Sequence, residues 1–187
     1  MLATEKVNQF YGGSHTLWDI DLEVPAGGCV CLMGRNGVGK TTLLKVIMGL
    51  LPASTGKIRF GDAALAGQRP EARARAGIGY VPQGREIFPS LTVEENLMVG
   101  RRALALDPKL LILDEPTEGI QPNIVAEIGD VIAGLAEQGV TVLFVEQKLA
   151  FARRVARSFV ILDRGRAVAD GAISELTDDL VRRHLTV

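Results

Sequence analysis

The sequence is poor in cysteine, in aromatic residues and in unbalanced charge. Its 187 residues include 2 cysteines and 5% aromatic residues, and 21 Lys and Arg are matched by 22 Asp and Glu, for a formal charge of -1. A disulfide scaffold is therefore excluded, and no overall field attracts the chain to anionic lipid or nucleic acid. We expect no nucleic-acid partner.

Long apolar segments are also missing. Apolar runs such as 110–113 and 142–145 are far shorter than the roughly 20 residues that cross a bilayer. The N-terminus has no signal-peptide pattern. The length and the hydrophobic content of 47% instead predict one globular domain with a substantial core, located in the cytoplasm.

The two cysteines, Cys29 and Cys31, alternate in an apolar segment. This spacing puts both on one face of a predicted strand, where we expect them to be buried as small hydrophobic residues. A metal site at these cysteines would need further ligands, and the two histidines, His15 and His184, lie in a predicted turn and in the predicted tail. We therefore interpret the cysteines as core residues.

Strand-like and helix-like patterns alternate along most of the chain, which predicts an α/β fold with a mostly parallel sheet and helices on both faces. Glycine turns at 12–13 and 164–165 predict antiparallel hairpins near both ends. The predicted strands are 3–10, 16–24, 29–33, 58–60, 78–81, 110–113, 141–145, 159–163 and 167–170, and the predicted helices are 41–48, 70–76 and the segment from Pro122 to Gly139. We expect one domain, with an antiparallel flank over 1–26, a core over 27–170 and a helical tail over 171–187.

Residues 34–41, GRNGVGKT, match the phosphate-binding loop pattern G-x4-GK[ST] between a predicted strand and a predicted helix. Glycines let several backbone N–H groups approach one polyphosphate at the positive end of a helix dipole. Lys40 would then neutralise the outer phosphates, and the Thr41 hydroxyl would bind Mg²⁺. A glycine-rich turn with a solvated lysine is the alternative interpretation.

The acid pair Asp114 and Glu115 follows the apolar run 110–113. The carboxyl ends of strands are where open α/β sheets bind ligands. Asp114 is suited to the water shell of Mg²⁺ opposite Thr41, and Glu115 to orienting the water that attacks the γ-phosphate. Alone, such a pair is typical of a strand end that meets solvent. Together with the glycine loop, it indicates a phosphate-hydrolysing site.

These motifs resemble those of the ATP-binding subunits of ABC transporters, over about residues 7–171. The glycine loop resembles Walker A, 110–115 resembles Walker B with its catalytic glutamate, YVPQ at 80–83 resembles the Q-loop, and 116–122 falls on the D-loop, which contacts the opposite subunit of a dimer. The resemblance implies catalytic roles for Glu115, Gln83, Gln147 and Lys40, metal binding by Thr41, Gln83 and Asp114, and nucleotide binding by Tyr11, Gly34, Asn36, Gly37, Gly39, Lys40, Thr41 and Thr42.

Two of these assignments have open alternatives. Tyr11 matches the aromatic residue that stacks on adenine, but an ordinary hairpin aromatic explains it equally well. Gln147 stands where most family members carry a histidine; its amide can donate a hydrogen bond to phosphate but cannot carry a charge or relay a proton. We interpret Gln147 as a γ-phosphate sensor with a weakened role, and a helix-capping or surface glutamine is the alternative.

The finer resemblance is to the second ATP-binding subunit of importers for branched-chain amino acids and for urea or amides. It rests on VPQGREIFP at 81–89 and LTVEENL at 91–97, and the D-loop residues TEGIQP at 117–122 favour the urea branch. That subfamily also resembles this sequence in its glutamine at the position of Gln147. The transported solute stays open, because the membrane and solute-binding proteins select it.

The Leu-Ser-Gly-Gly-Gln signature of the family is missing. Only 31 positions separate Gln83 from Asp114 (114 minus 83), too few for the helical subdomain that normally lies between them. We predict a seam near 100–102 where two halves are joined. Either a mobile subdomain is omitted from the printed sequence, which we favour, or the chain is shortened and cannot form a complete composite site by itself.

The resemblance also implies ligands and partners. We expect ATP and Mg²⁺, membrane permease subunits, a second ATP-binding subunit that is identical or related, and indirectly a solute-binding protein, with the chain on the inner face of the cell membrane. A nucleotide-binding regulatory module without efficient hydrolysis is the rival interpretation, favoured by the missing signature. A P-loop kinase or GTPase fits Gln83 and Glu115 poorly.

Overall fold

The computed structural model describes residues 1–84 and 108–185. The strands are β1 Leu2–Tyr11, β2 Ser14–Val24, β3 Cys29–Met33, β4 Thr55–Phe60, β5 Ala63–Ala64, β6 Ile78–Val81, β7 Leu110–Asp114, β8 Thr141–Val145, β9 Ser158–Asp163 and β10 Arg166–Ala172. The helices are α1 Lys40–Met48, α2 Pro70–Arg75, α3 Pro122–Glu137, α4 Leu149–Val155 and α5 Asp178–His184, and Ile173–Glu175 forms a 3₁₀ turn.

A six-stranded sheet forms the centre of the molecule, in the order β10-β9-β3-β8-β7-β6. Strands β9, β3, β8, β7 and β6 are parallel, and β10 pairs antiparallel with β9. Parallel strands are buried on both faces and are therefore almost continuously apolar. All five residues of each of β3, β7 and β8 are buried accordingly.

Strand β3 divides the core into two layers because successive side chains point to opposite faces. Val30 and Leu32 join a cluster with α1 and with a second, antiparallel sheet of order β2-β1-β4-β5. Cys29, Cys31 and Met33 join another cluster with α3 and α4. The predicted burial of both cysteines is confirmed, and burial raises the pKa of Cys29 to about 11.

The predicted fold class is confirmed, since strands are found in every predicted segment and helices cover both faces of the parallel sheet. Strand β5 and helix α4 were not predicted. Helix α4 has only seven residues and no side-chain cap, so packing of Phe151 and Val155 on the core defines it. The predicted tail boundary at 171 falls inside β10, and over residues 173–185 the tail forms the 3₁₀ turn and α5.

The seam predicted near 100–102 lies outside the described residues, as do residues 85–97 of the importer resemblance. Whether a segment is omitted there, which we favour, or the chain is shortened therefore stays a prediction. In the described part of the chain, no helix is long and apolar enough to cross a membrane.

Arg73 on α2 fixes the end of α1, the helix that follows the glycine loop. Its side chain is 5% exposed, and its guanidinium donates to four backbone carbonyls, those of Val46, Ile47, Leu65 and Gln68. Helix α1 stops at Gly49, whose φ is 75°. A Cβ there would lie 2.8 Å from Nε of Arg73, so the glycine makes room for the arginine.

We expect Arg73→Met to lower the free energy of unfolding by about 2–3 kcal/mol, because buried carbonyls would lose charge-assisted hydrogen bonds. Arg75→Met is the matched control, since Arg75 lies on the same helix and is exposed. Urea denaturation of both variants measures the effect. Equal stability of the two would contradict this role for Arg73.

Candidate active site

The candidate site lies along the carboxyl edge of the parallel sheet. Strands β3, β8, β7 and β6 are neighbours in that order, and each is followed by candidate residues. The glycine loop follows β3, Gln147 follows β8, Glu115 follows β7 and Gln83 follows β6. The sheet order therefore brings together residues that are far apart in the sequence.

The glycine loop requires glycine at two close approaches. Gly34 has φ 147°, and a Cβ there would lie 2.4 Å from the carbonyl oxygen of Leu162. Gly39 has φ 107°, and a Cβ would lie 2.8 Å from Cδ2 of Leu17. Any other residue would have to displace the chain that packs against the loop. The loop leads directly into α1, which begins at Lys40.

Lys40 folds back over the loop. Its Nζ donates to the carbonyl oxygens of Gly34 at 2.8 Å and Arg35 at 2.9 Å. The residue is 5% exposed, and burial lowers the pKa of its ammonium, although Glu115 and Asp114 partly oppose this. The alternative of a solvated lysine is wrong for this structure. The ammonium is held where the loop would present a phosphate.

Asp114 is the most buried acid in the described part of the site, at 1% exposure. Neither of its carboxylate oxygens has a hydrogen-bond partner among the described residues. Burial raises the pKa of Asp114, and the nearby Thr41 side chain partly offsets this. A buried carboxylate without a partner beside a hydroxyl fits a small, hard cation such as Mg²⁺.

Protein groups alone do not complete such a cation site in this part of the chain. Over residues 1–84 and 108–185, no group of three or more His, Cys, Asp or Glu side chains is placed to hold a metal ion. Mg²⁺ commonly takes one or two carboxylates and completes its shell with substrate phosphates and water. The residues present therefore fit a cation that arrives with a polyphosphate.

Glu115 is held in an unusual backbone conformation. Its φ is 51°, in the left-handed region, which costs a residue other than glycine about 1–3 kcal/mol. Its backbone N–H donates to the carbonyl oxygen of Val145 at 3.1 Å. The Gln147 amide donates to Oε1 of Glu115 at 2.7 Å. Such strain persists only where the surrounding structure enforces it.

Gln83 donates to two carboxylates across the site. Its Nε2 lies 3.0 Å from Oε2 of Glu118 and 3.4 Å from Oε2 of Glu115. The shorter contact is with Glu118, which we did not predict as a site residue. A possible signal was its position four residues after Asp114, in a turn at the carboxyl edge of the sheet.

A cavity of about 290 Å³ joins these groups. Its lining includes most of the predicted residues, namely Asn36, Gly37, Gly39, Lys40, Thr41, Thr42, Gln83, Glu115 and Gln147, together with Glu118. Asp114 is not part of this lining but lies next to Thr41 and Lys40. Gly34 does not line the cavity, and its carbonyl oxygen instead accepts a hydrogen bond from Nζ of Lys40. The predicted approach of Lys40 and Thr41 to the acid pair is what the structure shows.

Tyr11 is a predicted site residue that does not line the cavity. It ends β1 and is 48% exposed. The hairpin that carries it packs against the loop elsewhere, through Leu17 at Gly39. Stacking of Tyr11 on a base stays a prediction.

Glu146 is the second residue that we did not predict. It is 3% exposed and accepts hydrogen bonds from the Thr117 hydroxyl and from the backbone N–H groups of Gln147 and Lys148. The sequence signal that could have identified Glu146 is a carboxylate directly after the buried strand β8, because a charge buried at a strand end requires hydrogen-bond donors around it. It connects the segment that carries Gln147 to the segment that carries Glu115.

Comparison with known proteins decides the family. The family model described as ABC transporter matches residues 17–102. The high-affinity branched-chain amino acid transport ATP-binding protein BraG of Pseudomonas aeruginosa is 34% identical over 227 aligned positions, which cover 97% of this chain and 97% of that protein. The chain belongs to the ATP-binding proteins of ABC transporters. The lipopolysaccharide export system ATP-binding protein LptB of Escherichia coli K12 is 29% identical to this ABC subunit, over 95% of the chain and 93% of that protein.

The structural comparison agrees. A solved structure of the ATP-binding subunit of an ABC transporter has a TM-score of 0.83 and 26% identity to this ABC subunit, covering 98% of its chain and 92% of the solved one. The predicted ABC ATPase fold is confirmed. An ATP ligand and ATP hydrolysis coupled to transport are also confirmed at the level of the family.

This ABC subunit is shorter than its relative. The alignment with BraG has 227 positions and the chain has 187 residues, so at least 40 positions (227 minus 187) have no residue of this chain. The match to the family model ends at residue 102, next to the predicted seam.

Proposed function

We propose that this chain binds Mg-ATP in the cavity between the glycine loop and the acid pair, and hydrolyses it to drive import through membrane permease subunits. The observation that carries the proposal is the meeting of Lys40, Thr41 and Glu115 around one cavity, with the buried Asp114 next to all three. A phosphate-binding loop next to a buried, unpartnered carboxylate is suited to a nucleoside triphosphate with a divalent cation.

Positioning and charge neutralisation supply the catalysis in this proposal. Lys40 neutralises the outer phosphates, while the backbone N–H groups of the loop surround them. Thr41 and Asp114 would hold Mg²⁺, with Gln83 near them, and the cation would neutralise phosphate charge. The roles of these residues follow from their chemistry and their places around the cavity.

Glu115 is the proposed general base. Its Oε1 accepts from the Gln147 amide and its Oε2 from the Gln83 amide, so an amide donor orients each of its two oxygens. With nucleotide bound, Glu115 orients the attacking water and accepts its proton. Gln147 then donates to the γ-phosphate, and Gln83 either donates to the water or binds the cation through its amide oxygen.

The proposed partner is a second ATP-binding subunit, arranged head-to-tail. In this arrangement the signature segment of one chain completes the ATP site of the other. If this chain is shortened, two identical copies could not supply the segment to each other, and the partner would be a related subunit; if a segment is only omitted, an identical partner fits equally well. The assembly would sit on the inner face of the membrane, with a solute-binding protein acting outside.

The proposed solute is a branched-chain amino acid, or urea or a short amide. The relative BraG, named for branched-chain amino acid transport, supports the first. The urea branch rests only on the D-loop residues 117–122. Import rather than export rests on the importer-like motifs at 81–97 together with BraG.

A second candidate function is a nucleotide-binding module that does not hydrolyse ATP efficiently. The interruption favours it, because at least 40 aligned positions lack a residue here (227 minus 187). Glu115 argues against it, since a module that only binds nucleotide has no need of a base at the cavity.

Reconstitution in proteoliposomes separates the two candidates. The full chain would be combined with its permease subunits, a related ATP-binding subunit and the solute-binding protein, and uptake of labelled leucine and of urea would be followed. We expect ATP-dependent uptake of one solute at a rate at least about 10-fold above that with AMP, because AMP lacks the phosphates that Lys40 would contact. Tight ATP binding without hydrolysis or uptake would favour the regulatory module.

A further inference from the structure

We infer that Glu146 is a positioning residue for ATP hydrolysis, which acts through Thr117 and Gln147 to hold Glu115 in its strained conformation. The inference rests on the proposed function, in which Glu115 is the base. Glu146 itself does not line the cavity, so it has no direct contact with a ligand there.

Glu146 is a buried junction between two segments. One oxygen, Oε1, accepts from the backbone N–H of Gln147 at 2.9 Å and of Lys148 at 3.1 Å. The other, Oε2, accepts from the Thr117 hydroxyl at 2.6 Å. A carboxylate is an acceptor with two oxygens, so one side chain satisfies three donors from two parts of the chain. Bonds of this kind are stronger than those between neutral groups.

Two further bonds reinforce the same junction. Lys148 donates from Nζ to the carbonyl oxygen of Thr117 at 2.9 Å. The backbone N–H of Glu115 donates to the carbonyl oxygen of Val145, the residue before Glu146, at 3.1 Å. Thr117 has no exposed surface, so its hydroxyl has no water to replace Glu146. Glu115 is therefore held by hydrogen bonds to the segment 145–148, which come from its own backbone and from Thr117, two residues later.

The left-handed φ of 51° at Glu115 is strained, so it persists only if hydrogen bonds of this kind enforce it. The turn that follows Glu115 is closed by the N–H of Glu118, which donates to the carbonyl oxygen of Glu115 at 3.1 Å. Thr117 lies inside that turn, and its bond to Glu146 fixes the turn to the end of β8. The same carboxylate fixes the backbone of Gln147, whose amide reaches Glu115 at 2.7 Å. Both the backbone and the side chain of Glu115 are thus located by Glu146.

Thr117→Val tests the inference, because valine keeps the branched shape of threonine and replaces the hydroxyl with a methyl group, which cannot donate to Glu146. We expect kcat for ATP hydrolysis by the assembled full chain to fall by about 10- to 100-fold, since a small misplacement of a reacting group has an effect of this size. The Kd for ATP should stay within about threefold of the wild-type value, because the glycine loop and Lys40 are unchanged.

Thr141→Val is the matched control. Thr141 is equally buried, at the other end of β8, and its hydroxyl accepts from the N–H of Gly27 at 3.0 Å. A purely structural role for Thr117 predicts the same kcat in the two variants. Equal kcat values, or a wild-type kcat for Thr117→Val, would overturn the inference.

Glu115→Gln separates this inference from the proposed function. If Glu115→Gln abolishes hydrolysis while Thr117→Val does not, only the positioning role fails. If Glu115→Gln hydrolyses ATP at the wild-type rate, the proposed function fails. A crystal structure of Thr117→Val decides the positioning role without any activity measurement: we expect φ of Glu115 to leave the left-handed region and the Gln147 contact to break. A Glu115 that keeps both overturns the inference.

Discussion

Glu115→Gln is expected to lower kcat for ATP hydrolysis by about 100- to 10,000-fold, the range that a positioned general base contributes. Glutamine keeps the size of the side chain but cannot accept a proton from the attacking water. The affinity for ATP should change little, because the loop and Lys40 provide the phosphate contacts. Single-turnover hydrolysis and fluorescence titration with ATP, both on the assembled full chain, measure the two quantities.

Two other carboxylates test whether the effect belongs to Glu115. Glu127 is exposed on α3, away from the cavity, and Glu127→Gln should hydrolyse ATP at the wild-type rate. Glu118 lies in the cavity and holds Gln83, so Glu118→Gln should lower the rate by a smaller factor than Glu115→Gln. An equal loss in Glu118→Gln would show that the base has been assigned to the wrong carboxylate.

The sequence carried enough information to predict the fold and the place of the site. Parallel strands are recognised by continuous apolar runs, and ligands bind at their carboxyl ends. The glycine loop and the acid pair each follow such a run. Their meeting therefore depended only on β3 and β7 belonging to one sheet, and β8 lies between the two.

The contacts within the site could not be predicted in the same way. The left-handed φ of Glu115 depends on partners that are distant in the sequence, and no local pattern specifies it. Glu146 and Glu118 are ordinary acids in the sequence and gain a role only through Thr117 and Gln83. Hydrogen-bond partners across a sheet edge follow from three-dimensional packing, which residue spacing does not encode.

The absence of Tyr11 from the cavity has a related cause. Its hairpin belongs to the antiparallel sheet, whose position relative to the loop is set by contacts such as the N–H of Trp18 donating to Gly165 at 2.8 Å. A motif match gives the residue type but not this packing. Stacking on adenine would use the exposed ring at the end of β1 from outside the phosphate cavity.

A missing signature segment would make the two halves of a composite site unequal. In the proposed pair, this chain contributes the phosphate loop, the acid pair and Gln83, which lie at or next to one cavity. If the chain is shortened near the predicted seam, it has no segment with which to complete the partner's site. Hydrolysis would then take place mainly at the cavity described here, and variants at Lys40 and Glu115 would remove most of it.

Lys40→Met should weaken ATP binding by about 30- to 3,000-fold, the effect of removing one partner of a buried, charged hydrogen bond. Methionine fills the space of the lysine stem but leaves the phosphates without the ammonium group and the carbonyls of Gly34 and Arg35 without their donor. Adenosine, which has no phosphates, should bind both forms equally, and isothermal titration calorimetry measures both ligands. Lys57→Met, at an exposed lysine outside the cavity, controls for the loss of a positive charge. If ATP bound Lys40→Met as tightly as it binds Lys57→Met, the triphosphate would have to lie away from the glycine loop, and the proposed site would be wrong.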